Sequence, residues 1–136
     1  MLKSLLTTAL VTFAMAGPVM AQERIRISSE WGEVTAVLVD KDATKSLLRM
    51  LPITVEMRDH LRQEKTGTLP ASLPEASRQQ TFSAGMLGLW GRDDFVIYYR
   101  NGRVPRPGIV VLGQVSGNVS IFDRSGPVTV QVQRAD

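Results

Sequence analysis

Cysteine is absent, histidine occurs once, and aromatic residues make up only 6% of this 136-residue chain. Without cysteine there is no disulfide, and stability must come from packing alone. One histidine and no thiol argue against structural zinc, and a Ser-His-Asp relay would have to be built around His60 with no G-x-S-x-G elbow to present the serine. An excess of charge of one sign is lacking too. The chain carries 16 Lys and Arg against 13 Asp and Glu, a net +3, and the two signs are interspersed, so no nucleic-acid partner is expected. Neither acidic pair, Asp40/Asp42 or Asp93-Asp94, has the spacing of a calcium loop; turn and helix-cap duty accounts for both. No metal and no cofactor is expected. An apolar run of the roughly 20 residues that a spanning helix needs is also missing.

The N-terminus instead has the pattern of an export signal. Lys3 gives a positive start, Ser4 to Ala16 an apolar stretch, and Gly17-Pro18 a helix break ahead of small residues at Val19 and Ala21. Cleavage is expected after Ala21, which places the protein in the periplasm or outside the cell with no stable membrane span. No cysteine follows the apolar stretch, so a lipid anchor is not expected. Removing residues 1–21 takes away only Lys3 among the charges, leaving 15 cations against 13 anions, or +2. The remaining 22–136 segment is long enough for one domain with one core.

Periodicity along that segment is mostly that of strands. Arg24 to Ser28 alternates, Val34 to Val39 is β-branched, and Gly32 lies between them, the pattern of a hairpin with Trp31 at its tip. Ala43, Leu47, Leu48 and Leu51 fall at helical spacing, with Asp42 placed to cap the first turn and Pro52 to stop the helix. Ile53 to His60 returns to alternation, with Thr54, Glu56, Arg58 and His60 on a wholly polar side. Leu61 to Gln80 has no periodicity and carries Gly67, Pro70 and Pro74, so a long surface loop is expected there. Phe82 to Trp90 and Phe95 to Arg100 form a second hairpin pattern, Arg103 to Pro107 a loop, Ile109 to Val115 a strand, Asn118 to Phe122 a short helical turn, and Val128 to Gln133 a last strand. Seven or eight strands and one clear helix leave no room for a helix after every strand. The class is therefore mainly β, a closed or nearly closed barrel.

The run Leu51-Pro52-Ile53-Thr54-Val55-Glu56-Met57, followed in order by Glu64-Lys65, Leu69-Pro70, Leu73-Pro74, Gly85 and Leu89-Trp90-Gly91, resembles the small bacterial cyclophilin-like fold family. The likeness runs from about Arg24 to Gln133. It implies an eight-stranded cyclophilin-like β-barrel with a helix plugging one end. Family members usually place Asn-Gly where Leu61-Arg62 stands, and an Asp where Met86 stands. True cyclophilins are prolyl isomerases that use an Arg as hydrogen-bond donor to the prolyl amide, beside an apolar pocket, to lower a barrier of roughly 18–20 kcal/mol. By that resemblance Arg58 is the candidate donor, and Phe95 and Tyr98 are candidate walls of an adjoining groove. The phenylalanine-rich and tryptophan-containing signature segments of the isomerases are not found here.

Glu56, Arg58 and His60 form the sharpest polar constellation, with a solvated outer face carrying a weak ion pair as the plain alternative. Trp90 is expected in the core, Tyr98 and Tyr99 on opposite sides of their strand, and Met50, Met57 and Met86 in core gaps. The function expected is a module binding a small molecule or an extended peptide in an outer groove beside the 61–80 loop, through Glu56, Arg58, His60, Phe95 and Tyr98. A divergent prolyl isomerase using Arg58 is the alternative, and assembly through an exposed barrel edge is a third reading.

Overall fold

The computed structural model describes residues 8–10 and 22–135. The export signal read in residues 1–21 lies outside the described residues except for Thr8–Leu10. Among the described residues no helix is long and apolar enough to cross a membrane.

Period-two alternation of apolar residues builds the barrel wall. In β1 (Arg24–Ser29) and β2 (Gly32–Leu38), Ile25, Ile27, Val34, Ala36 and Leu38 all point inward and are buried. The helix α1 (Asp42–Met50) buries Ala43, Thr44, Leu47 and Leu48 against the same core. Asp42 does not cap it, contrary to the expectation from sequence. The cap is Lys41, whose N–H donates to Thr44 Oγ1 at 3.1 Å, while the Thr44 hydroxyl donates to the Val39 carbonyl at 2.6 Å; Asp42 is already helical and complements the dipole from the first turn. The wall continues through β3 (Ile53–His60), β4 (Glu64–Thr68), β6 (Met86–Trp90), β7 (Asp94–Tyr98), β9 (Val110–Ser116) and β10 (Val128–Arg134). These strands, with β1 and β2, close in the antiparallel order β1-β10-β3-β4-β7-β6-β9-β2. This is the closed eight-stranded, mainly β barrel with one helix that the sequence implies, and no barrel strand keeps a free edge.

Two further short strands, β5 (Thr81–Phe82) and β8 (Gly102–Arg103), pair with each other outside the barrel as a flap. Beneath it Phe82, Val96, Tyr98 and Ile109 form a second, smaller apolar cluster, with Met86, Trp90 and Val104 packed around it. Gly102 is paired with Phe82 across the flap, and a Cβ on Gly102 would come within 2.5 Å of the Phe82 ring, so glycine leaves the room that the ring occupies.

The 61–80 segment is not one loop. Leu61 and Arg62, both at φ 53°, form a tight turn closed by Gln63 N–H to His60 C=O at 3.1 Å, and β4 follows at once. The positive φ values explain why Asn-Gly suits this position better than Leu-Arg. Only 69–80 is irregular, and it is pinned down: Leu69 and Leu73 are buried and donate to the Asp93 and Arg92 carbonyls at 2.7 and 2.8 Å.

Candidate functional site

Because strands β3, β4 and β7 lie side by side, alternate residues sort to the two sides of the wall. Register places His60 opposite Glu64 and Glu64 opposite Tyr98, with Arg58 opposite Thr66 one step along. These residues face out, under the flap. Asp59, Lys65 and Tyr99, each one residue away, face in.

On the inner side the polar atoms are all engaged. Lys65 is fully buried, and its Nζ donates to Asp59 Oδ1 at 2.8 Å, to the Gly126 carbonyl at 2.9 Å and to the Arg124 carbonyl. Tyr99 donates to the same carboxylate oxygen at 2.5 Å and accepts from Arg62 at 3.2 Å; Arg62 also reaches Asp123 at 2.8 Å. Burial would raise the Asp59 carboxyl, but the hydrogen bonds from Lys65 and Tyr99 and the charges of Lys65 and Arg62 outweigh it and hold it below the usual value. Trp31, half-buried, lies under the Lys65 and Arg124 cations at 5.1 Å from each.

On the outer side is a groove of about 480 Å³, within the size range of small-ligand sites. One wall is Arg58 and His60 of β3 with the exposed Leu61, the floor is Glu64, Thr66 and Tyr98, and Trp90 and Asp94 lie at one end. Arg103, Val104 and Pro105 close it from the flap side. Tyr98 is fully buried, its ring stacked on Phe82 with centroids 4.0 Å apart, and its hydroxyl is the one buried side-chain polar atom among the described residues without a hydrogen-bond partner. Glu64, 5% exposed, accepts from Gln63 at 2.7 Å. Burial pushes its carboxyl up despite that bond and the nearby His60. Burial, and then the charge of Glu64, push the Tyr98 phenol far up, so it stays protonated. The Glu64 carboxyl is the near neighbour of the hydroxyl, and each shifts the other by charge and by hydrogen bonding, but the hydroxyl makes no bond of full hydrogen-bond geometry.

Three of the five residues expected at the site, Arg58, His60 and Tyr98, line this groove. Glu56 shares the exposed outer face of β3 but lies outside the groove, and among the described residues none of Glu56, Arg58 and His60 takes part in the ion pair expected of them. Phe95 is 1% exposed inside the barrel with Ile97 and Tyr99, so it cannot share a groove with Tyr98. Trp90, expected in the barrel core, is half-buried at the groove, while Met57 is in the core as expected. The first part of the 61–80 segment borders the groove as expected, but 69–80 turns away from it. Glu64, Trp90 and Arg103 are among the groove residues that sequence reasoning missed. Among the described residues no cluster of three or more His, Cys, Asp or Glu is placed to hold a metal ion.

A second crevice of about 190 Å³ lies beside α1, lined by Gln22, Leu38, Thr44 and Leu48 among others, and holds no unpartnered buried group.

A family model described as the cyclophilin-like family matches residues 27–133. The structure is similar to the solution structure of a hypothetical protein from Archaeoglobus fulgidus, with a TM-score of 0.67 and 16% identity over 84% of this chain and 95% of that one. At that identity the likeness is one of fold. No curated protein matches the chain.

Proposed function

The chain belongs to the cyclophilin-like family, and from that premise we propose that it is an exported binding module that holds a small molecule or an extended peptide in the outer groove. The observation that carries this reading is the Tyr98 hydroxyl. A buried donor without an acceptor costs about 1–3 kcal/mol, and a ligand carbonyl or other oxygen entering the groove removes that cost. Phe82 fixes the ring, and the surroundings are of the mixed kind that small ligands use: Leu61, Trp90, Val104 and Pro105 offer apolar surface, and Arg58 and Glu64 offer polar groups. The export part of the proposal rests on the n-region, apolar stretch and small residues of 1–21. N-terminal sequencing of the protein recovered from a periplasmic extract is expected to begin at Gln22.

The binding part is tested by screening fragments and short peptides against 15N-labelled protein. Ligands are expected to shift Glu64, Trp90 and Tyr98 amides together, and Tyr98→Phe is expected to weaken them. A screen whose hits all map to the α1 crevice would overturn the assignment of the groove.

One observation favours a second reading, prolyl cis/trans isomerisation: Arg58 lines this groove beside apolar Trp90, Val104 and Pro105. Turnover of a short prolyl peptide that Arg58→Ala abolishes, with the melting temperature within a few degrees of wild type, would replace the binding module with an enzyme.

A further inference from the structure

Five of the twelve arginines among the described residues are answered by a carboxylate, and the two that share the groove are not among them. Arg26 pairs with Glu33, Arg62 and Arg100 with Asp123, Arg78 with Glu75, and Arg134 with Glu23. Arg58 and Arg103 have no ion-pair partner among the described residues, yet they stand on the two facing walls of one groove, β3 and the flap, with His60 beside Arg58 and a free phenol donor below. Four donor groups therefore converge on one space without an acceptor of their own.

The groove's two acids do not occupy that role. Glu64 is buried beneath the surface with one oxygen tied to Gln63. Asp94, at the Trp90 end, lies four residues from Tyr98 and two from the level of Arg58 along β7, and forms no ion pair with Arg58 or Arg103. Gly102 pairs with Phe82, whose ring stacks on Tyr98, so the neighbouring Arg103 lines the groove from the flap side.

We propose that the groove selects ligands bearing a carboxylate, which lies at the rim between Arg58 and Arg103 while an oxygen of the same ligand accepts from the Tyr98 hydroxyl. Guanidinium groups suit the planar, two-oxygen geometry of a carboxylate, and the phenol supplies the buried bond that fixes depth. The proposal rests on the reading of the groove as a binding site and adds the class of ligand. The carboxylate comes either from a free small acid or from an acidic residue of an extended peptide.

The test is a titration of the protein, followed by amide shifts, with three capped tripeptides that differ only at the central residue (Glu, Gln or Lys) and with glutarate as a free acid. The Glu peptide is expected to bind about five- to tenfold more tightly than the Gln peptide, with the Lys peptide weakest, because each of the two rim ion pairs is exposed and individually weak. Raising the salt is expected to shrink that preference. Arg58→Gln and Arg103→Gln are each expected to reduce the preference for Glu, whereas Tyr98→Phe weakens every ligand alike and leaves the preference in place. Glutarate binding as tightly as the Glu peptide identifies a small acid as the ligand; a tighter peptide identifies an acidic segment. Equal binding of the Glu and Gln peptides in the groove overturns the carboxylate inference and leaves the binding module standing. Failure of both glutarate and the Glu peptide to bind also overturns it, and the wider screen then judges the groove separately.

Discussion

Tyr98 and Tyr99 are adjacent in the chain, and the barrel wall passes between them. Inside, Tyr99 joins Lys65 and Asp59 in a network where the buried cation has three acceptors and the carboxylate has donors from β4 and from the residue that follows β7. Outside, Tyr98 and Glu64, on β7 and β4, face a groove with one donor unanswered. Both phenols are pushed up by burial, so titration does not distinguish them; partnership does. One strand pair can thus secure the fold with its inner residues and keep binding capacity in its outer ones, because alternate side chains do not share an environment.

The strongest way to break the inner side is Lys65→Ala. It leaves the Asp59 carboxylate, whose side chain is only 13% exposed, without its main counter-charge and empties a fully buried site; about 3 kcal/mol is expected to be lost. Thermal unfolding followed by circular dichroism should show a fall of roughly 12 °C in Tm for a domain of this size. A change under about 3 °C would mean that the network contributes little.

Next comes the paired removal of the two hydroxyls. Tyr99→Phe deletes a bond to a charged acceptor and is expected to cost about 1–2 kcal/mol, while Tyr98→Phe deletes a hydroxyl with nothing to lose and is expected to leave stability unchanged or raised. Urea denaturation of the two variants side by side decides; equal losses would erase the contrast.

Acidity sharpens the same comparison. Asp59 is lowered in the fold, so its stabilisation is complete above the ordinary carboxyl value of 3.8 and fades as pH falls through the lower folded value. Glu64 is raised, so its favourable state is present below the ordinary 4.5 and is lost as pH rises through the higher folded value. Glu64→Gln is expected to flatten the decline on the neutral side, and Asp59→Asn the decline on the acid side, when urea midpoints are followed against pH. Identical profiles for the two variants would contradict the opposed directions.

The smallest effect concerns the turn that joins β3 to β4. Asn tolerates the left-handed backbone at position 61 better than Leu, so Leu61→Asn is expected to stabilise by about 0.5 kcal/mol while removing an apolar lip from the groove. A more stable variant with weakened ligand binding is the expected result; a less stable one would show that Leu61 contributes packing its 75% exposure does not reveal.

Most of the wall was legible from alternation, because in β1, β2, β3, β9 and β10 apolar residues face in and polar ones mostly face water. Strand β4 was not. Its residues Glu-Lys-Thr-Gly-Thr are polar or small, yet the first four are buried, Lys65 by the charges around it and Glu64 by the flap, so hydrophobic pattern carried no signal. At the site, Arg58, His60 and Tyr98 could be found by period and chemistry. Arg103 and Trp90 could not, since the flap forms by pairing Thr81–Phe82 with Gly102–Arg103, Phe82 and Gly102 lying 20 residues apart, and by stacking Phe82 on Tyr98, and no local spacing records either. The misplacement of Phe95 was avoidable, as the period of two already separates it from Tyr98.

The strand order also bears on when this molecule can begin to exist. Strand β10, residues 128–134, is inserted between β1 and β3, whose residues precede their partners in it by 103–109 and 71–79 positions. During synthesis every other strand can be complete while the ring stays open, with β1 and β3 each offering an unpaired rim to passing chains. A chain that ends just short of Val128 is therefore not a slightly shortened barrel but an open sheet with two unpaired rims. The last strand decides folding all at once.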